Sequence, residues 1–361
     1  MRLVNSRFSN EGKFFWDERA TSLEDQVTQP IQDHVEMGFS GTNGDPDFND
    51  LITKLSAIDY YQILFEFSYG NSSIDEDKIQ RALAQFIRSI QSFDSKFDEG
   101  FVQSPNLNAP FPNFTPQENL GKQLFLNPPP NGGAGCVGCH APPEFDIDPN
   151  TLNNGVIGVI GNSSEIDVNN TRSPSLRDIV NPDGSLNGPM MHDGSMTTLL
   201  EVIEHYNTIP NNPDNTNLDN RLQGPGNQTQ QLNLTNNEKN ALEAFLKTLT
   251  GSDIYTNEKW SNPFDEEGNI SIVGGQLSTN ENSFEKSIIV FPNPIETDMN
   301  IQLENGKYRV LVYNVKGRTV SENKIFGNEI LNLETLTKGI YLLLIKDVES
   351  SKVYKKKFIK L

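Results

Sequence analysis

The residues best suited to chemistry lie together in the stretch CVGCH, which runs from Cys136 to His140 and contains both cysteines of the 361-residue chain. Two thiols three positions apart, with an imidazole beside the second, suit three kinds of site. They can form a strained, redox-active disulfide, or they can contribute to a zinc site. They can also bond the two vinyl groups along one edge of a porphyrin while the imidazole binds the iron, which is how haem c is attached.

The Cys-x-x-Cys-His pattern favours haem c over the other two sites. A redox-active disulfide of this spacing usually lies in a βαβ unit, which the neighbouring sequence does not predict. A zinc site needs a fourth ligand, and the sequence offers no second cysteine pair and three further histidines, His34, His192 and His205. We therefore predict a haem c covalently attached to this motif, with zinc and a disulfide as the alternatives.

A haem iron also takes a sixth ligand or keeps an open position, and this choice decides its chemistry. On a helical wheel, Tyr206 points to the apolar face of the helix predicted around TLLEVIEHYN, whereas His205 points away from that face. We expect Tyr206 to face the haem, with packing in the core as the alternative. Three methionines are thioether candidates that could equally fill the core: Met190, Met191 and Met196.

The helices predicted around this motif extend to about residue 250. Capping boxes, in which Ser or Thr is followed three residues later by Glu, predict four helix starts: Ser73–Glu76, Thr115–Glu118, Thr198–Glu201 and Thr235–Glu238. Pro116 occupies the first position of the second helix, and Gly251 is placed to stop the fourth. The segment 49–67 predicts one further helix, whereas 141–190, rich in Asn, Gly and Pro, predicts mostly loop.

The pattern changes after residue 284, where short runs of β-branched and aromatic residues alternate with turn residues. Asn305-Gly306 and Lys316-Gly317 are typical of hairpin turns. We expect a small β-sandwich of roughly 75–80 residues here. This segment contains neither His nor Cys, which predicts a structural or targeting module.

The charge balance excludes several classes of partner. Asp and Glu number 48 against 29 Lys and Arg, which gives a net charge of −19. Such an acidic chain is not suited to bind nucleic acid or an anionic membrane surface. No run approaches the roughly 20 apolar residues of a membrane-spanning helix, so we predict no transmembrane helix.

Several stretches carry a resemblance to a known family: FFWDERATSLEDQVTQPIQDHVEMG, ALAQFIRSIQSFDSKFD, LGKQLF with CVGCH, TRSPSLRDI, MMHDGSMTTLLEVIEHYN and LEAFLKTLTG. In this order, and over about residues 1–264, they resemble the di-haem cytochrome c peroxidase and MauG family. The resemblance implies two haem c domains. The N-terminal haem of the family is the peroxidatic one, and the C-terminal haem passes electrons to it.

The resemblance assigns three residues to the peroxidatic half. Trp16 matches a tryptophan that lies between the haems and assists electron transfer. Gln26 and Glu36 match a glutamine and a glutamate that line the peroxide pocket. A carboxylate there would take a proton from peroxide and return it to the leaving oxygen, which is general acid–base catalysis.

The resemblance also assigns residues to the second haem. Cys136 and Cys139 match the attachment sites, and His140 matches the proximal iron ligand. His192 matches a histidine that lies beside this haem.

The distal side of the second haem is matched by Tyr206, at a position where peroxidases commonly have Met and MauG-like members have Tyr. A phenolate is a harder donor than a thioether and would stabilise ferric and higher oxidation states. Asn187 and Pro189 match a stretch that helps to bind a calcium ion between the haems.

One feature of the family is missing, because no Cys-x-x-Cys-His motif precedes Cys136. The segment before Trp16 is too short for such a motif, and the first 20 residues have no signal-peptide pattern. We therefore expect the sequence to begin inside a longer gene product whose full length carries a second haem c. The alternative is a single-haem descendant of the family.

The segment 284–361 resembles the type A C-terminal sorting domain of the type IX secretion system of Bacteroidetes, through VFPNPIETDMNIQL, VLVYNVKGRTV, LTKGIYLLLI and KKKFIKL. This resemblance implies that the secretion machinery recognises the segment. It predicts a periplasmic, secreted or cell-surface protein whose export signal is lost by truncation.

These patterns predict a multidomain protein with all-α cytochrome c-like haem domains and a small C-terminal β-sandwich. The predicted domains are a remnant of the peroxidatic haem domain at 1–100, a haem domain at 101–264, a linker at 265–283 and the sorting domain at 284–361. The predicted function is reduction of hydrogen peroxide with electrons that a small donor protein, such as a cytochrome or cupredoxin, passes through the haem at His140. The alternatives are a MauG-like oxidase of a protein or organic substrate and a non-enzymatic single-haem electron carrier.

Overall fold

The computed structural model describes residues 3–9, 12–264, 270, 288–314, 318–349 and 353–361. The chain forms two compact units, residues 1–271 and 272–361. The first unit is largely helical and the second consists of β-strands, which confirms the predicted change from helix to sheet along the chain. The linker predicted at 265–283 lies outside the described residues except for residue 270. The domain boundary at residue 100 stays a prediction.

Helices are the main regular elements in the described part of the first unit. They are α1 (Leu23–Gln32), α2 (Phe48–Ser56), α3 (Asp59–Tyr69), α4 (Glu76–Ser89), α5 (Lys96–Gln103), α6 (Pro116–Leu126), α7 (Leu199–Asn207), α8 (Asn236–Lys247) and α9 (Asp253–Thr256). Between α6 and α7, short antiparallel strands pair as β1 (His140–Ala141) with β2 (Asp146–Ile147), and as β3 (Gly158–Val159) with β4 (Asn162–Ile166). The rest of that segment is mostly loop, as predicted. None of the described helices has the length and hydropathy needed to cross a bilayer.

Three predicted capping boxes are present and one is wrong. The threonines that cap α6, α7 and α8 each accept, with the side chain, the backbone N–H of the glutamate three residues on. The side chain of that glutamate accepts the backbone N–H of the threonine in return. The box predicted at Ser73 does not form, because Asp75 caps α4 by accepting the Lys78 N–H at 2.9 Å. Helix α4 therefore begins at Glu76.

Two further predictions about helix extents are corrected by the structure. The single helix predicted at 49–67 is divided into α2 and α3, and the side chain of Gln62 donates to the Ser56 carbonyl at 2.6 Å where α2 ends. This bond satisfies a carbonyl that a continuous helix would pair internally. Gly251 does not stop α8, which ends at Lys247. Because Gly251 has no side chain, a neighbouring carboxylate can pack against its backbone.

Helices α6 and α8 pack closely beside the cysteine motif. A Cβ atom at Gly121 would overlap the Ala241 carbonyl oxygen, so the glycine of LGKQLF allows the two backbones to approach. The core around this contact is rich in buried phenylalanines, among them Phe97, Phe125, Phe145 and Phe245. These rings pack against one another, and Cys136 packs against the same cluster.

Arg177 ties the loop after the cysteine motif to the helical core. Its fully buried guanidinium binds both oxygens of Asp98 on α5, at 2.8 and 2.7 Å. It also donates to the Pro143 carbonyl at 2.9 Å and lies 5.7 Å from the Phe145 ring centroid. A planar, five-donor group suits this simultaneous binding of a carboxylate and a carbonyl.

The second unit contains two antiparallel sheets within the described residues. Its strands are β5 (Ile289–Phe291), β6 (Asp298–Gln302), β7 (Lys307–Asn314), β8 (Thr319–Phe326), β9 (Glu329–Asn332), β10 (Gly339–Asp347) and β11 (Val353–Lys360). One sheet has the order β11-β10-β7-β8 and the other β5-β6-β9. Val312 of β7 pairs with Leu343 of β10, and both share one buried cluster with Met299 of β6. Alternation of buried and exposed residues along these strands produces that cluster.

The turn at Asn305-Gly306 does not close a hairpin, so that prediction is wrong. It joins β6 to β7, which belong to different sheets. Leu303, just before the turn, is buried in the shared cluster, and its N–H donates to the Asn328 side chain at 2.8 Å. The chain passes from one sheet to the other next to this buried leucine. The second predicted hairpin, Lys316-Gly317, lies outside the described residues.

Candidate cofactor site

A cavity of about 700 Å³ lies beside the cysteine motif in the first unit. This volume falls in the range of roughly 300–1,000 Å³ that is typical of small-molecule and cofactor sites. The wall is mainly apolar, and α6, α7 and α8 contribute side chains such as Phe125, Val202, Ile203, Leu242 and Leu246. Such a wall suits a large, mostly apolar ligand.

Both cysteines face this cavity. Cys136–Gly138 form a single 3-10 turn that follows Gly135, whose φ is 71°, and the Cys139 N–H donates to the Cys136 carbonyl at 3.1 Å. The two thiols are free and lie on the cavity wall. Burial raises the pKa of the Cys136 thiol to about 12, so this thiol is neutral at physiological pH. A redox-active cysteine pair needs a reactive thiolate, so this site does not suit one.

His140 is held with one ring nitrogen available to the cavity. The pairing of β1 with β2 sets His140 opposite Ile147, and the His140 Nδ1–H donates to the Phe145 carbonyl at 3.3 Å. This hydrogen bond fixes the proton on Nδ1 and leaves the lone pair on Nε2. Burial lowers the pKa of His140 to about 4. A neutral imidazole held in this way is suited to bind a metal ion.

Arg221 braces the cysteine motif and also lines the cavity. Its guanidinium donates to the Gly138 carbonyl, to the Thr151 hydroxyl at 2.9 Å and to both oxygens of Asp219 at 2.9 and 2.8 Å. The Asp219 carboxylate also accepts the Leu152 N–H at 2.8 Å. Arg221 therefore connects the loop between the cysteines to the loop that follows β2.

Tyr206 of α7 lines the cavity, whereas its neighbour His205 does not. The Tyr206 hydroxyl accepts a hydrogen bond from the Asn154 side chain at 3.3 Å. The His205 Nε2–H donates to the backbone carbonyl of the same Asn154 at 2.9 Å. Burial raises the pKa of the Tyr206 phenol, so the phenol is protonated in the absence of a cation. The structure thus brings Tyr206, Cys136 and His140 to one cavity.

The other candidates, from the stretch MMHDGSM, differ in whether they line the cavity. Met190, Met191 and His192 line the cavity, and Met196 does not. The His192 Nε2–H donates to the Gly158 carbonyl at 2.8 Å, which leaves only its other ring nitrogen for a ligand.

Trp16 reaches the same cavity from the N-terminal segment. Its ring centroid lies 6.1 Å from that of His192 in an edge-on arrangement. Its backbone carbonyl accepts the N–H groups of Thr171 and Arg172, each at 3.0 Å. The structure therefore connects the segment before α1 to the wall of the cavity.

Gln26 and Glu36 do not line the cavity. Gln26 is buried in α1, and its Oε1 has no hydrogen-bond partner within the described part of the chain. Glu36 is exposed in the turn that follows α1. Nearby, His34 is also exposed, and its Nδ1 lies 2.7 Å from the Asp45 Oδ2. The structure leaves the two predicted peroxide-site residues apart from the cysteine motif.

Asn187 and Pro189 both line the cavity. The Asn187 amide donates to the Asp178 carbonyl at 3.3 Å and to the Tyr255 hydroxyl at 3.5 Å. Calcium prefers a cage of six to eight oxygens, and its binding here stays a prediction.

Within the ranges that the structure describes, no group of three or more His, Cys, Asp or Glu side chains could hold a metal ion, so the zinc alternative lacks its ligand set.

The residues present fit a haem c. Two thiols and a neutral imidazole with a free Nε2 share one wall of a large apolar cavity, and the same cavity offers a phenol and two thioethers as further donors. An apolar wall around iron ligands is also what tunes the potential of haem proteins.

Two residues of the site were not identified from the sequence. Asn154 and Arg221 are held by contacts with residues distant in the chain, Tyr206 and Gly138 respectively. Asn154 lies in an Asn-Asn-Gly run that is typical of any turn, and Arg221 has no motif around it. Only the three-dimensional arrangement shows what these two side chains bind.

Two segments of the chain match known family models. Residues 1–104 match the model described as di-haem cytochrome c peroxidase. Residues 289–360 match the model described as secretion system C-terminal sorting domain.

Curated relatives extend the similarity beyond residue 104. Methylamine utilization protein MauG of Methylophilus methylotrophus is 30% identical over 245 residues, 65% of this chain and 63% of that protein. Cytochrome c551 peroxidase of Nitrosomonas europaea is 29% identical over 251 residues, 66% of this chain and 61% of that protein. This chain thus spans a little over three fifths of each of these relatives, at 63% and 61%. The resemblance to the di-haem cytochrome c peroxidase and MauG family, and that of the C-terminal segment to a secretion sorting domain, is confirmed.

Proposed function

We propose that this protein is a haem c oxidoreductase of the cytochrome c peroxidase type, which reduces hydrogen peroxide with electrons passed through a haem at His140. The observation that carries the proposal is the convergence of Cys136, Cys139, His140 and Tyr206 on one apolar cavity of about 700 Å³. When bound there, haem c would supply one-electron chemistry at a potential set by its axial ligands and burial. We propose a cytochrome c-like arrangement for the helices around it.

The residues of the chain would hold and orient this group. Cys136 and Cys139 would form the thioethers, and His140, kept neutral by burial, would bind the iron through Nε2. We assign Tyr206 as the distal ligand and His192 as a neighbour of the haem. The hydrogen bond from His140 Nδ1 to a backbone carbonyl would fix the orientation of the ring during redox changes.

The remaining assignments concern three residues of the cavity wall and two residues that lie away from it. We assign Trp16, whose ring lies 6.1 Å from that of His192, to electron transfer between the cavity and the N-terminal segment. Gln26 and Glu36 are assigned to peroxide binding and proton transfer. A calcium ion at Asn187 and Pro189 is part of the same proposal, since both residues line the cavity.

The test uses the full chain, exported with a leader peptide and matured by haem c attachment proteins. We expect the added mass of one covalently bound haem, a Soret band, and consumption of peroxide with a reduced small cytochrome or cupredoxin as donor. The Cys136→Ser/Cys139→Ser variant should lose the added mass. A matured wild-type chain with neither added mass nor Soret band would refute the haem site.

Two other functions are favoured by particular observations. Tyr206 at the cavity favours a MauG-like oxidase of a protein or organic substrate, because a phenolate stabilises high oxidation states. The single Cys-x-x-Cys-His motif of this sequence favours a single-haem electron carrier. The carrier function would be supported if the haem-loaded chain exchanges electrons with a donor but neither consumes peroxide nor oxidises an added substrate.

The C-terminal segment supports a proposal about location. We propose that the two sheets of the second unit form a β-sandwich which the secretion machinery recognises as a sorting domain. The protein would then be periplasmic during export and afterwards secreted or held at the cell surface. Haem c attachment outside the cytoplasm agrees with this route.

A further inference from the structure

Asn154 occupies an unusual position in the cavity wall, between two candidate ligands of the iron. Its Nδ2 donates to the Tyr206 hydroxyl at 3.3 Å and approaches the Met191 sulfur at 3.4 Å. The hard phenol and the soft thioether therefore lie beside the same amide nitrogen, and both side chains line the cavity. Neither contact is needed to hold a helix or a strand together.

The orientation of the Asn154 amide is fixed by its other bonds. Its Oδ1 accepts the Val156 N–H at 3.1 Å, so the nitrogen must be the atom that faces Tyr206 and Met191. Its backbone carbonyl accepts the His205 Nε2–H at 2.9 Å, which joins it to α7. The residue is 8% exposed, so water cannot readily replace these bonds.

We propose that Asn154 is a positioning residue that decides whether Tyr206 or Met191 becomes the sixth ligand of the haem iron. The inference rests on the proposed haem c site. Donation to the phenol oxygen would orient the Tyr206 side chain and stabilise its anionic form as a ligand, whereas the weaker contact with sulfur would leave Met191 beside it as the alternative ligand. Without the amide donor, Tyr206 would no longer be favoured over Met191 as the ligand.

The test compares variants of the matured full chain by absorption, electron paramagnetic resonance and reduction potential. Asn154→Leu removes both polar atoms and keeps the branching at Cγ, and Asn154→Asp keeps the acceptor for Val156 while removing the N–H donor. Asn211→Asp places the same charge at an exposed surface position and serves as the control. Circular dichroism of each variant verifies the fold.

We expect wild type and Asn211→Asp to share a phenolate-ligated ferric spectrum. Both Asn154 variants should lose part of that signal and gain either the far-red methionine–iron band or a high-spin spectrum. Tyr206→Phe should gain the methionine band and a higher potential, because thioether ligation raises haem potentials. Tyr206→Phe/Met191→Leu should lose that band again.

The outcomes separate this inference from the haem site itself. Asn154 variants that keep the wild-type ligand bands and potential would overturn the role of Asn154, while their Soret band and added mass would leave the haem site intact. A Tyr206→Phe variant without a methionine band would overturn Met191 as the second ligand. Absence of haem from the matured wild type would refute both proposals.

Discussion

At the scale of one residue, Asp178 shows how burial disfavours the ionised form of a carboxyl group. Its side chain is fully buried, and its Oδ1 accepts the Gly251 N–H at 3.0 Å. Burial raises the pKa of this carboxyl above its ordinary value of 3.8, because the ionised form loses its hydration. The backbone φ is 53°, a left-handed conformation that Asp and Asn tolerate better than most residues.

We predict that Asp178→Asn stabilises the protein at neutral pH and not in acid. Because the folded-state pKa is the higher one, the unfolded state releases the proton first as the pH rises, so the aspartate costs stability increasingly up to its folded-state pKa. Asparagine keeps an acceptor for Gly251 and never ionises. Urea unfolding of both proteins at about pH 4 and about pH 7 measures the difference.

A surface aspartate provides the matched control for this prediction. Asp183 is exposed, and hydrogen bonds from the Ser185 hydroxyl and N–H lower the pKa of its carboxyl. Asp183→Asn should therefore lose a little stability at neutral pH and none in acid, the reverse of Asp178→Asn. Equal effects of Asp178→Asn at the two pH values would contradict the argument.

At the same scale, the motif residues could be identified from the sequence, whereas some of the residues around them could not. Cys136, Cys139 and His140 carry their chemistry in their spacing, and they do line one cavity. Asn154 was not predicted, because its partners Tyr206 and Met191 are far away in the chain. A side chain whose role depends on distant contacts leaves no local signal.

At the scale of elements, the contact between α6 and α8 depends on the absence of one side chain. We predict that Gly121→Ala costs about 1–3 kcal/mol of unfolding free energy, because its methyl group would overlap the Ala241 carbonyl. This cost would outweigh the gain in helix propensity, which is about 1 kcal/mol. Denaturant unfolding followed by tryptophan fluorescence measures it.

Gly12→Ala is the control for that substitution. A Cβ atom at Gly12 would meet no heavy atom within 4 Å, so the change should stay within about 0.5 kcal/mol of wild type. A Gly121→Ala protein as stable as the Gly12→Ala protein would show that the helices can separate without cost.

Most element ends that are set by neighbouring residues were predicted correctly, although Asp75 and not Ser73 caps α4. The boxes at Thr115, Thr198 and Thr235 formed because a cap needs only residues three apart. The path from β6 to β7 was missed, since the two strands belong to different sheets and Leu303 between them is buried among residues from the rest of the unit, which the Asn-Gly turn does not reveal.

At the scale of the whole molecule, both tryptophans, Trp16 and Trp260, belong to the first unit. Their fluorescence therefore reports the unit that holds the cavity. We predict that Cys136→Ser/Cys139→Ser lowers the unfolding midpoint of the matured chain on the order of 10 °C, at roughly 2–4 °C per kcal/mol. Loss of the haem would remove the apolar contacts that fill about 700 Å³.

Tyr206→Phe is the control for cofactor loss, because it keeps both attachment sites. Its midpoint should remain close to that of wild type, and its absorption should still show one haem per chain. Equal midpoints for wild type and the double cysteine variant would show that the cavity does not depend on a bound group for its stability.

The sequence alone indicated the cofactor chemistry that we propose, and it determined most of the predicted helix starts and the change from helix to sheet. Each of these depends on residues close together in the chain. Helical phase even indicated that Tyr206, and not His205, faces the site. Only the tertiary structure decided which residues surround the motif: it brought Trp16 and Asn154 to the cavity and left Gln26 and Glu36 outside it. The physical reason is that a cavity is formed by side chains from many segments, and their meeting depends on the packing of the whole unit.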